Sequence, residues 1–549
     1  MTVSKLFNSQ SKTIASAAGI LFISSLISGV LGFVRNGLLS WRFGAGEATD
    51  MYFAAFRIPD LLYGILIMGG ISAIFLPMFA EQMERSPQAA WKFASNLLNI
   101  VIVFLLAFAV FVFLFAPQLI PFVAPGFSSS QLETTVSLTR LMLLSPLLFG
   151  ISAVFSGVLH YFQRFFVYAL APILYNIGII LGIIFLAPFW GIWGVAVGVV
   201  IGAFLHVLVQ VPAVRKVGFL WQPLWNFKDA SVKKATVLAF PRTIAAASSY
   251  INVIVITALA SLIAGGSITI FEYANTIQQL PAGLIGVSFA LAVFPVLSRF
   301  AAQQEFGRLR QAFAKTAAGV LFFVLPFSVL IFLLRAQIVR LIYGAGDQFG
   351  WDETRLTAAV LGIFAFGIIF YAVIPLFVRA FFALQDTKTP TLASIASVAL
   401  NIVSALFLIQ VFASSNAFSQ FFVSFLRLGG IEDVRILALP LAFVVAGIFQ
   451  LGLLSLLLAR RIRDMFGKEF LVSLAKTALA AFTAGIVTYG VLYLYGNPFP
   501  LETYLRVLTQ FLLAGFAGAL TFIAAAFALK SPEVFALWSK TRSLLSRSR

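Results

Sequence analysis

Long apolar runs are the feature that most restricts how this chain can fold. Runs of about twenty residues with few charges recur along it, as at 97–115 and around 177–186, and this is the length that an α-helix needs to cross a bilayer core. Within lipid every backbone N–H and C=O must be bonded inside the protein, so only helices and closed β-barrels span a membrane. The alternating ten-residue pattern of barrel strands is absent. The sequence therefore predicts an all-α membrane protein.

Composition agrees with that prediction and excludes several classes of function. Of the 549 residues, 61% are hydrophobic and 10% are charged, whereas soluble domains carry about 25% charged residues. The net charge of +18 does not indicate nucleic-acid binding, because the basic residues stand at the ends of apolar segments. There is no cysteine, and the two histidines form no metal-binding spacing. We expect no enzyme activity, no metal and no cofactor.

The apolar lengths and the residues that interrupt them predict about 14 membrane spans. Their approximate limits are 14–40, 50–80, 91–115, 133–160, 168–187, 191–214, 234–263, 270–300, 311–343, 355–384, 389–413, 435–460, 470–496 and 503–529. About 25 of the 37 basic residues then fall on one side of the membrane, against 4 in the opposite loops. Because cytoplasmic loops are enriched in Lys and Arg, both termini are predicted to be cytoplasmic.

An internal repeat is also indicated. The segment 157–164, which ends span four, resembles 382–388, which ends span ten, and the span that follows each contains an asparagine, Asn176 or Asn401. An offset of about 220 residues, or six spans, gives two lobes of the same orientation around an axis along the membrane normal. Chance similarity of apolar helices is the alternative. The predicted domains are an N-lobe at 1–215, a C-lobe at 234–460, a terminal helix pair at 470–529 and a basic tail at 530–549.

Charged residues inside spans are the candidate site residues, because a charge that faces lipid near the bilayer centre costs several kcal/mol. The candidates are Arg35 in span one, Asp50, Arg57 and Asp60 in span two, Arg242 in span seven and Glu272 in span eight. Spacings of seven and three place the three residues of span two on one helical face. We interpret the set as the lining of a polar cavity between the lobes, whose arginines attract an anionic headgroup.

A structural interpretation of the same residues stays open. Arg57 and Asp60 are three residues apart and could neutralise each other. Arg35 could lie close enough to the membrane surface to extend its charge into water. Arg140, in span four, is predicted to serve packing or an interface.

Four motifs carry a resemblance to a known family. They are Ser-Gly-Val-Leu-Gly-Phe-Val-Arg at 28–35, Phe-Gly-Ala-Gly-Glu-Ala-Thr-Asp at 43–50, Ala-Leu-Ala-Pro-Ile-Leu-Tyr-Asn at 169–176 and Arg-Ala-Phe-Phe-Ala-Leu-Gln-Asp-Thr-Lys-Thr-Pro at 379–390. From residue 28 to about 529 the chain resembles the MurJ/MviN family of lipid II flippases, in the multidrug/oligosaccharidyl-lipid/polysaccharide exporter superfamily.

The resemblance implies two six-helix lobes and a terminal pair that takes a polyprenyl tail. It also implies that the protein moves the undecaprenyl-pyrophosphate-linked peptidoglycan precursor, lipid II, from the inner to the outer leaflet of a bacterial inner membrane by alternating access. We expect the protein to be a monomer. Besides lipid II, the partners that we expect are membrane lipids.

The chain departs from the family pattern at several cavity positions. The family usually has Arg at the positions of Gly29, Tyr63, Gly64 and Thr276, and Asp at that of Asn36. Two alternatives to lipid II transport therefore stay open. One is an exporter of the same fold for another polyprenyl-linked glycan or an amphipathic drug, and the other is a non-transporting envelope scaffold.

Compensation for the missing charges and the driving force are further expectations. Arg57 and Arg242 are the residues expected to replace the missing cations. Spans seven, eleven and twelve contain no carboxylate, so we expect the membrane potential, rather than an acidic sodium site, to drive transport.

Overall fold

The computed structural model describes residues 14–65, 72–462, 466–496, 503–536 and 538–539, and every regular element in these ranges is a helix. Twelve helical segments of the described chain are long and apolar enough to cross a membrane. They match twelve of the predicted spans, so the all-α membrane fold is confirmed. The other two predicted spans, 50–80 and 234–263, are not among the twelve, since residues 66–71 and several side chains of 234–263 are outside the described part. The total of 14 stays a prediction.

The chain divides into two compact units, Met1–Thr269 and Ile270–Arg549. The first unit contains α1 (Ile14–Phe43), α2 (Glu47–Tyr63), α3 (Ser72–Arg85), α4 (Pro87–Val123), α5 (Ser129–Met142), α6 (Leu144–Tyr161), α7 (Phe165–Leu181), α8 (Ala187–Trp190), α9 (Ile192–Leu208), α10 (Val211–Lys216) and α11 (Ala230–Ser261). A π-helical turn, Gly182–Leu186, joins α7 to α8. The predicted lobe boundaries at 215 and 234 stay a prediction.

The second unit begins inside α12 (Ser267–Pro281). It continues through a π-helical turn at Ala282–Val287 and then α13 (Ser288–Ala302), α14 (Phe306–Tyr343), α15 (Trp351–Ala383), α16 (Lys388–Ala413), α17 (Ala417–Phe425), a 3₁₀ turn at Arg435–Leu437, α18 (Ala438–Arg461), α19 (Lys468–Gly496) and α20 (Tyr504–Ala528). In this unit α14 packs against α15 and α19, and α19 packs against α20.

The surface of α4 shows why this fold belongs in lipid. Its large side chains Phe104, Phe111, Leu114 and Phe122 are exposed. An apolar face of this size is unfavourable in water and favourable against acyl chains.

Glycines allow α7 and α9 to pack backbone to backbone. A Cβ added at Gly178 would lie 2.3 Å from the Cα of Gly202, and one at Gly198 would lie 2.7 Å from the Cα of Gly182. Spacings of four residues repeat small residues along one face, which lets two membrane helices approach closely. This contact fixes the position of α7, which carries Tyr175.

The segment that follows α10 is fastened to α4 by two asparagines. Asn96 Nδ2 donates to the Asn226 carbonyl at 2.9 Å, and its Oδ1 accepts from the Asn226 N–H at 2.9 Å. Asn99 Nδ2 donates to the carbonyls of Gln222 and Leu224 at 2.8 and 2.9 Å. The connection predicted between the lobes is therefore part of the packed first unit.

Several helices end on a residue other than glycine in the left-handed backbone region. Gln163 and Gln385, with φ of 56° and 59°, end α6 and α15. At both ends the next N–H reaches back to a carbonyl five residues earlier, Arg164 to Leu159 and Asp386 to Phe381, which closes a Schellman cap. These are two positions that the sequence repeat aligns, and they share one cap geometry.

Candidate functional site

A cavity of about 240 Å³ lies among α2, α6, α7 and α9 of the first unit. Its lining residues are Phe56, Pro59, Asp60, Tyr63, Ser145, Pro146, Phe149, Pro172, Tyr175 and His206. Pro59 and Pro172 lie inside their helices, where a proline removes one intrahelical hydrogen bond, and Pro146 lies in the first turn of α6. The cavity therefore lies beside proline-containing parts of three of the four helices.

Asp60 is the acidic group among the described residues that line this cavity. It is partly buried and interacts electrostatically with Tyr52, Tyr63, Tyr175 and Tyr250. Phenolic hydroxyls both donate and accept hydrogen bonds, and their rings present apolar faces. The surroundings of Asp60 can thus contact a sugar together with an apolar group.

Arg35 on α1 approaches the same tyrosines from the side of α7. Its Nε donates to Asn36 Oδ1 at 3.1 Å and its Nη1 donates to Asn176 Oδ1 at 3.2 Å. Asn176 is held in turn by the Ser28 hydroxyl at 3.2 Å. Tyr175 interacts electrostatically with both Arg35 and Asp60. The structure therefore brings these two predicted site residues to one region.

His206 belongs to a hydrogen-bonded network that supports the cavity wall. Its Nδ1 is 2.8 Å from the Ser152 hydroxyl, which also accepts from Gln210 Nε2 at 2.5 Å. The Ser156 hydroxyl donates to Gln210 Oε1 at 3.2 Å. The network ties α6 to the end of α9 and fixes the imidazole at the cavity.

Asp50 lies elsewhere and holds the start of α12. Its side chain is 2% exposed. One oxygen accepts from the Gly266 N–H at 2.7 Å, and the other accepts from the Thr269 N–H at 2.8 Å and the Thr269 hydroxyl at 2.6 Å. Gly266 has φ of +87°, and a Cβ there would lie 2.3 Å from the Ala45 carbonyl oxygen, so the turn requires glycine.

Arg57 is buried on the same side of α2 as Asp50. Its Nε donates to the Thr257 hydroxyl at 2.7 Å. Seven residues separate Asp50 from Arg57, and both meet the segment 257–269, as the predicted shared face requires. Asp60, three residues further, lines the cavity, whereas neither Asp50 nor Arg57 is among the described lining residues.

Arg242 and Glu272, the remaining two candidates, do not line this cavity among the described residues. The backbone of Arg242 lies in α11, and its side chain is outside the part of the chain that the structure describes. Glu272 is a partly buried residue of α12 in the second unit. Its carbonyl accepts from the Thr276 hydroxyl at 2.8 Å, at one of the positions where the family usually has arginine.

At two other departures from the family pattern, tyrosine packing occupies the place of arginines. Tyr63 lines the cavity. A Cβ at Gly64 would lie 1.8 Å from the ring of Tyr250, so glycine lets this ring pack against α2. Asn36 receives a hydrogen bond from Arg35. The surroundings of Asp60 are consequently more aromatic and less cationic than the family pattern implies.

Four polar, uncharged residues of the cavity were not predicted from the sequence, because the candidates were chosen by charge. Tyr63, Ser145, Tyr175 and His206 lie within apolar spans and bring no charge that would single them out. The prolines of spans two, four and five were a signal for these residues, because proline in a membrane helix is tolerated where protein or a cavity satisfies the freed backbone group.

A bundle of membrane-spanning helices with a cavity beside proline-containing segments is an architecture that membrane transporters use. Among solved structures, "Lipid II flippase MurJ, inward closed conformation" is 24% identical, with a TM-score of 0.72 over 93% of this chain and 99% of that one. An inward-facing multidrug resistance MATE family transporter of the MOP superfamily is 14% identical, with a TM-score of 0.63 over 82% of this chain and 99% of that one. Both likenesses establish the fold.

The family follows from sequence. The sequence model of the family described as "Lipid II flippase MurJ" matches residues 39–509. A curated relative from Rhizobium tropici, described as a probable lipid II flippase MurJ, is 29% identical over 400 residues, or 71% of this chain and 74% of the relative. This chain therefore belongs to the lipid II flippase MurJ family, which is a family of transporters.

Proposed function

We propose that this chain translocates lipid II from the inner to the outer leaflet of the bacterial cytoplasmic membrane by alternating access. The observation that carries the proposal is the family match over residues 39–509, which extends through both compact units. A match to one unit alone would be compatible with a binding module. A match through both supports a complete transporter.

In the proposed mechanism the cavity of the first unit contacts the polar part of the cargo. Arg35 donates hydrogen bonds from Nε and Nη1 to the side chains of two asparagines. Its Nη2 has no hydrogen-bond partner among the described residues. This amino group is the proposed contact for a pyrophosphate oxygen, since such charge-assisted bonds are among the stronger ones in proteins. The hydroxyls of Tyr63 and Tyr175 are the proposed contacts for the glycan.

The membrane potential is the proposed driving force. An inside-negative potential favours outward movement of an anion by about 2.3 kcal/mol per charge per 100 mV. The orientation that this requires, with both termini in the cytoplasm, rests on the distribution of the basic residues. Replacement of the potential by an ion gradient in vesicles that contain the protein tests this part separately.

Complementation of a flippase-depleted bacterial strain tests the assignment of the cargo contacts. Arg35→Ala and Arg242→Ala are each expected to abolish growth, because a pyrophosphate loses a cationic partner worth about 1.5–3 kcal/mol. Arg140→Ala is the matched control: this arginine bonds the Phe113 carbonyl at 2.9 Å and lies over the Phe113 ring. Normal growth of both test variants at wild-type protein levels would refute the proposed role of these arginines.

An exporter of the same fold for another amphipathic cargo is the second candidate. The tyrosines that surround Asp60, and Gly64 beneath Tyr250, favour it. Binding of purified lipid II separates the two functions. Saturable binding that weakens in Arg35→Ala supports lipid II, and the absence of binding by folded protein favours the other cargo.

A further inference from the structure

A second cavity, of about 520 Å³, lies entirely within the second unit. It opens among the ends of α14, α15, α17, α19 and α20, and it lies within the range of roughly 300–1,000 Å³ that ligand pockets occupy. Three arginines line it, Arg335, Arg355 and Arg427, and none of the described lining residues is acidic. None of the three arginines belongs to the site residues predicted from the sequence.

The side chains of Arg335 and Arg355 and the backbone of Arg427 are held at the cavity by different contacts. Arg335 is partly buried on α14, where its Nη1 donates to the Phe332 carbonyl at 2.6 Å and its guanidinium lies 4.7 Å from the centre of the Phe332 ring. Arg355 Nη2 donates to the carbonyls of Arg427 and Gly429 at 2.8 and 2.7 Å. These bonds anchor the turn that presents Arg427, whose backbone closes the cap of α17 with φ of 60°.

The charges of this cavity are not balanced by the described part of the protein. Arg335 and Arg427 line the same cavity, where their like charges repel each other. The side chain of Arg427 has no hydrogen-bond or ion-pair partner among the described residues, and Arg355 has one carboxylate, Asp352, at 3.5 Å and largely exposed. A guanidinium that is partly withdrawn from water, as that of Arg335 is, is normally paired with an anion. An anion in the cavity would relieve the repulsion and fill the free donors.

The aromatic residues of the lining indicate where this anion comes from. Trp351, Tyr489 and Tyr493 line the cavity together with the arginines. Tryptophan and tyrosine are enriched at the level of lipid headgroups, where one part of the ring meets apolar chains and the other meets water. Arg335 is eight residues before the end of α14, or about 12 Å along the helix, so its side chain can reach headgroup depth.

We propose that this cavity binds the phosphate headgroup of an anionic membrane lipid, with Arg335 and Arg427 as the direct contacts and Arg355 as the residue that positions Arg427. By the distribution of basic residues the site faces the outer leaflet. The proposal does not depend on the identity of the transported cargo. It differs from a role in which Arg335 merely extends its charge toward water, because that role predicts no preference between lipids.

Native mass spectrometry of the purified full-length protein tests the proposal. The protein is titrated with phosphatidylglycerol, which is anionic, with phosphatidylcholine, which is neutral overall, and with inorganic phosphate. Arg335→Gln and Arg427→Gln are each expected to weaken phosphatidylglycerol binding roughly tenfold and to leave phosphatidylcholine binding unchanged. Glutamine suits position 427, because Gln163, Gln304 and Gln385 adopt the same backbone region in this chain.

Arg140→Gln is the matched control. Arg140, like Arg335, donates to the carbonyl of a phenylalanine and lies over its ring, 4.8 Å from the centre, but it does not line this cavity. Its substitution is expected to leave lipid binding unchanged. Equal binding of phosphatidylglycerol by the wild type and both test variants would overturn the proposal, as would binding of inorganic phosphate without binding of the lipid. If Arg335→Gln fails to fold, the exposed Arg427 still provides the test.

Discussion

At the scale of single residues, two carboxylates of α2 ten positions apart have different surroundings. Asp50 accepts three hydrogen bonds and is almost fully buried, whereas Asp60 is partly exposed at a cavity. A buried carboxylate with this many donors holds structure together, since its removal leaves the donors unsatisfied. Asp60 instead lies at a surface that a ligand in the cavity can contact.

Replacement of Asp50 is expected to reduce stability before it affects transport. Asp50→Ala removes the acceptor of the Gly266 and Thr269 donors and should cost about 3 kcal/mol or more, at roughly 1–3 kcal/mol for each unsatisfied group. Thermal unfolding of the purified protein measures the effect. Asp352→Ala is the control: Asp352 also stands in the first turn of its helix, but its side chain is 71% exposed. Equal melting temperatures for Asp50→Ala and the control would show that these hydrogen bonds are dispensable.

At the scale of helices, the contact between α7 and α9 connects packing to the cavity. A side chain at Gly198 would press on the backbone of Gly182, and α7 carries Tyr175 at the cavity wall. Displacement of one helix thus changes the site as well as the core.

Gly198→Ala is expected to destabilise the protein by about 1–3 kcal/mol, because a Cβ there cannot be accommodated without a backbone shift. The measurement is the melting temperature together with lipid II binding. Gly452→Ala, in α18, is the control, since a Cβ there meets nothing within 4 Å; it should be neutral or slightly stabilising. A Gly198→Ala protein as stable as Gly452→Ala would contradict the close packing of these helices.

The start of α16 provides a prediction of pH dependence. Asp386 accepts from the Thr389 N–H at 2.9 Å and from its hydroxyl at 2.6 Å, and it pairs with Arg461. Burial raises the pKa of Asp386 by desolvation. The hydrogen bonds from Thr389 and the charge of Arg461 together lower this pKa by more, so it lies below the ordinary 3.8.

Because the pKa of Asp386 is depressed in the folded protein, its stabilisation is present above its ordinary pKa and is lost as the pH falls through the folded-state value. Asp386→Ala is expected to cost about 1 kcal/mol at neutral pH, as for loss of a helix cap. The difference from wild type should shrink below about pH 4. Unfolding midpoints measured from pH 3 to 7 check this, with the exposed Asp347 replaced by Ala as the control. A difference that does not vary with pH would argue against an ionised Asp386.

At the scale of the whole molecule, alternating access predicts that the cavity around Asp60 changes its exposure during transport. The chain has no native cysteine, so one introduced thiol reports on one position. Ser145 is suitable because it is buried, lines the cavity and has no bonded partner for its hydroxyl among the described residues.

Ser145→Cys is expected to react with a membrane-impermeant maleimide at a rate that changes severalfold when lipid II is added. Labelling from each side of sealed vesicles shows which side the cavity faces. Ser328→Cys is the control: Ser328 is buried and bonded to the Ala365 carbonyl, so its thiol should stay unlabelled. If lipid II does not change the labelling rate at position 145 from either side of the vesicles, alternating access through this cavity would be contradicted.

The sequence by itself determined the class of protein. Span length, the scarcity of charge in the spans and the need to bond every backbone group in lipid are local properties, so they identified the helices without knowledge of their neighbours. The motifs that end in Arg35 and Asp50 likewise identified the family, and the spacing of Asp50 and Arg57 placed them on one face.

Only the tertiary structure decided what each face meets. Helical spacing fixes the angle between two side chains, but the rotation and packing of each helix decide whether they meet a donor, a cavity or lipid. Asp50 and Arg57 consequently meet bonded partners near α11 and α12, while Asp60 meets a cavity with tyrosines from other helices. Arg335, Arg355 and Arg427 come together at the second cavity although up to 92 residues separate them in the chain. No local pattern encodes contacts at such separations.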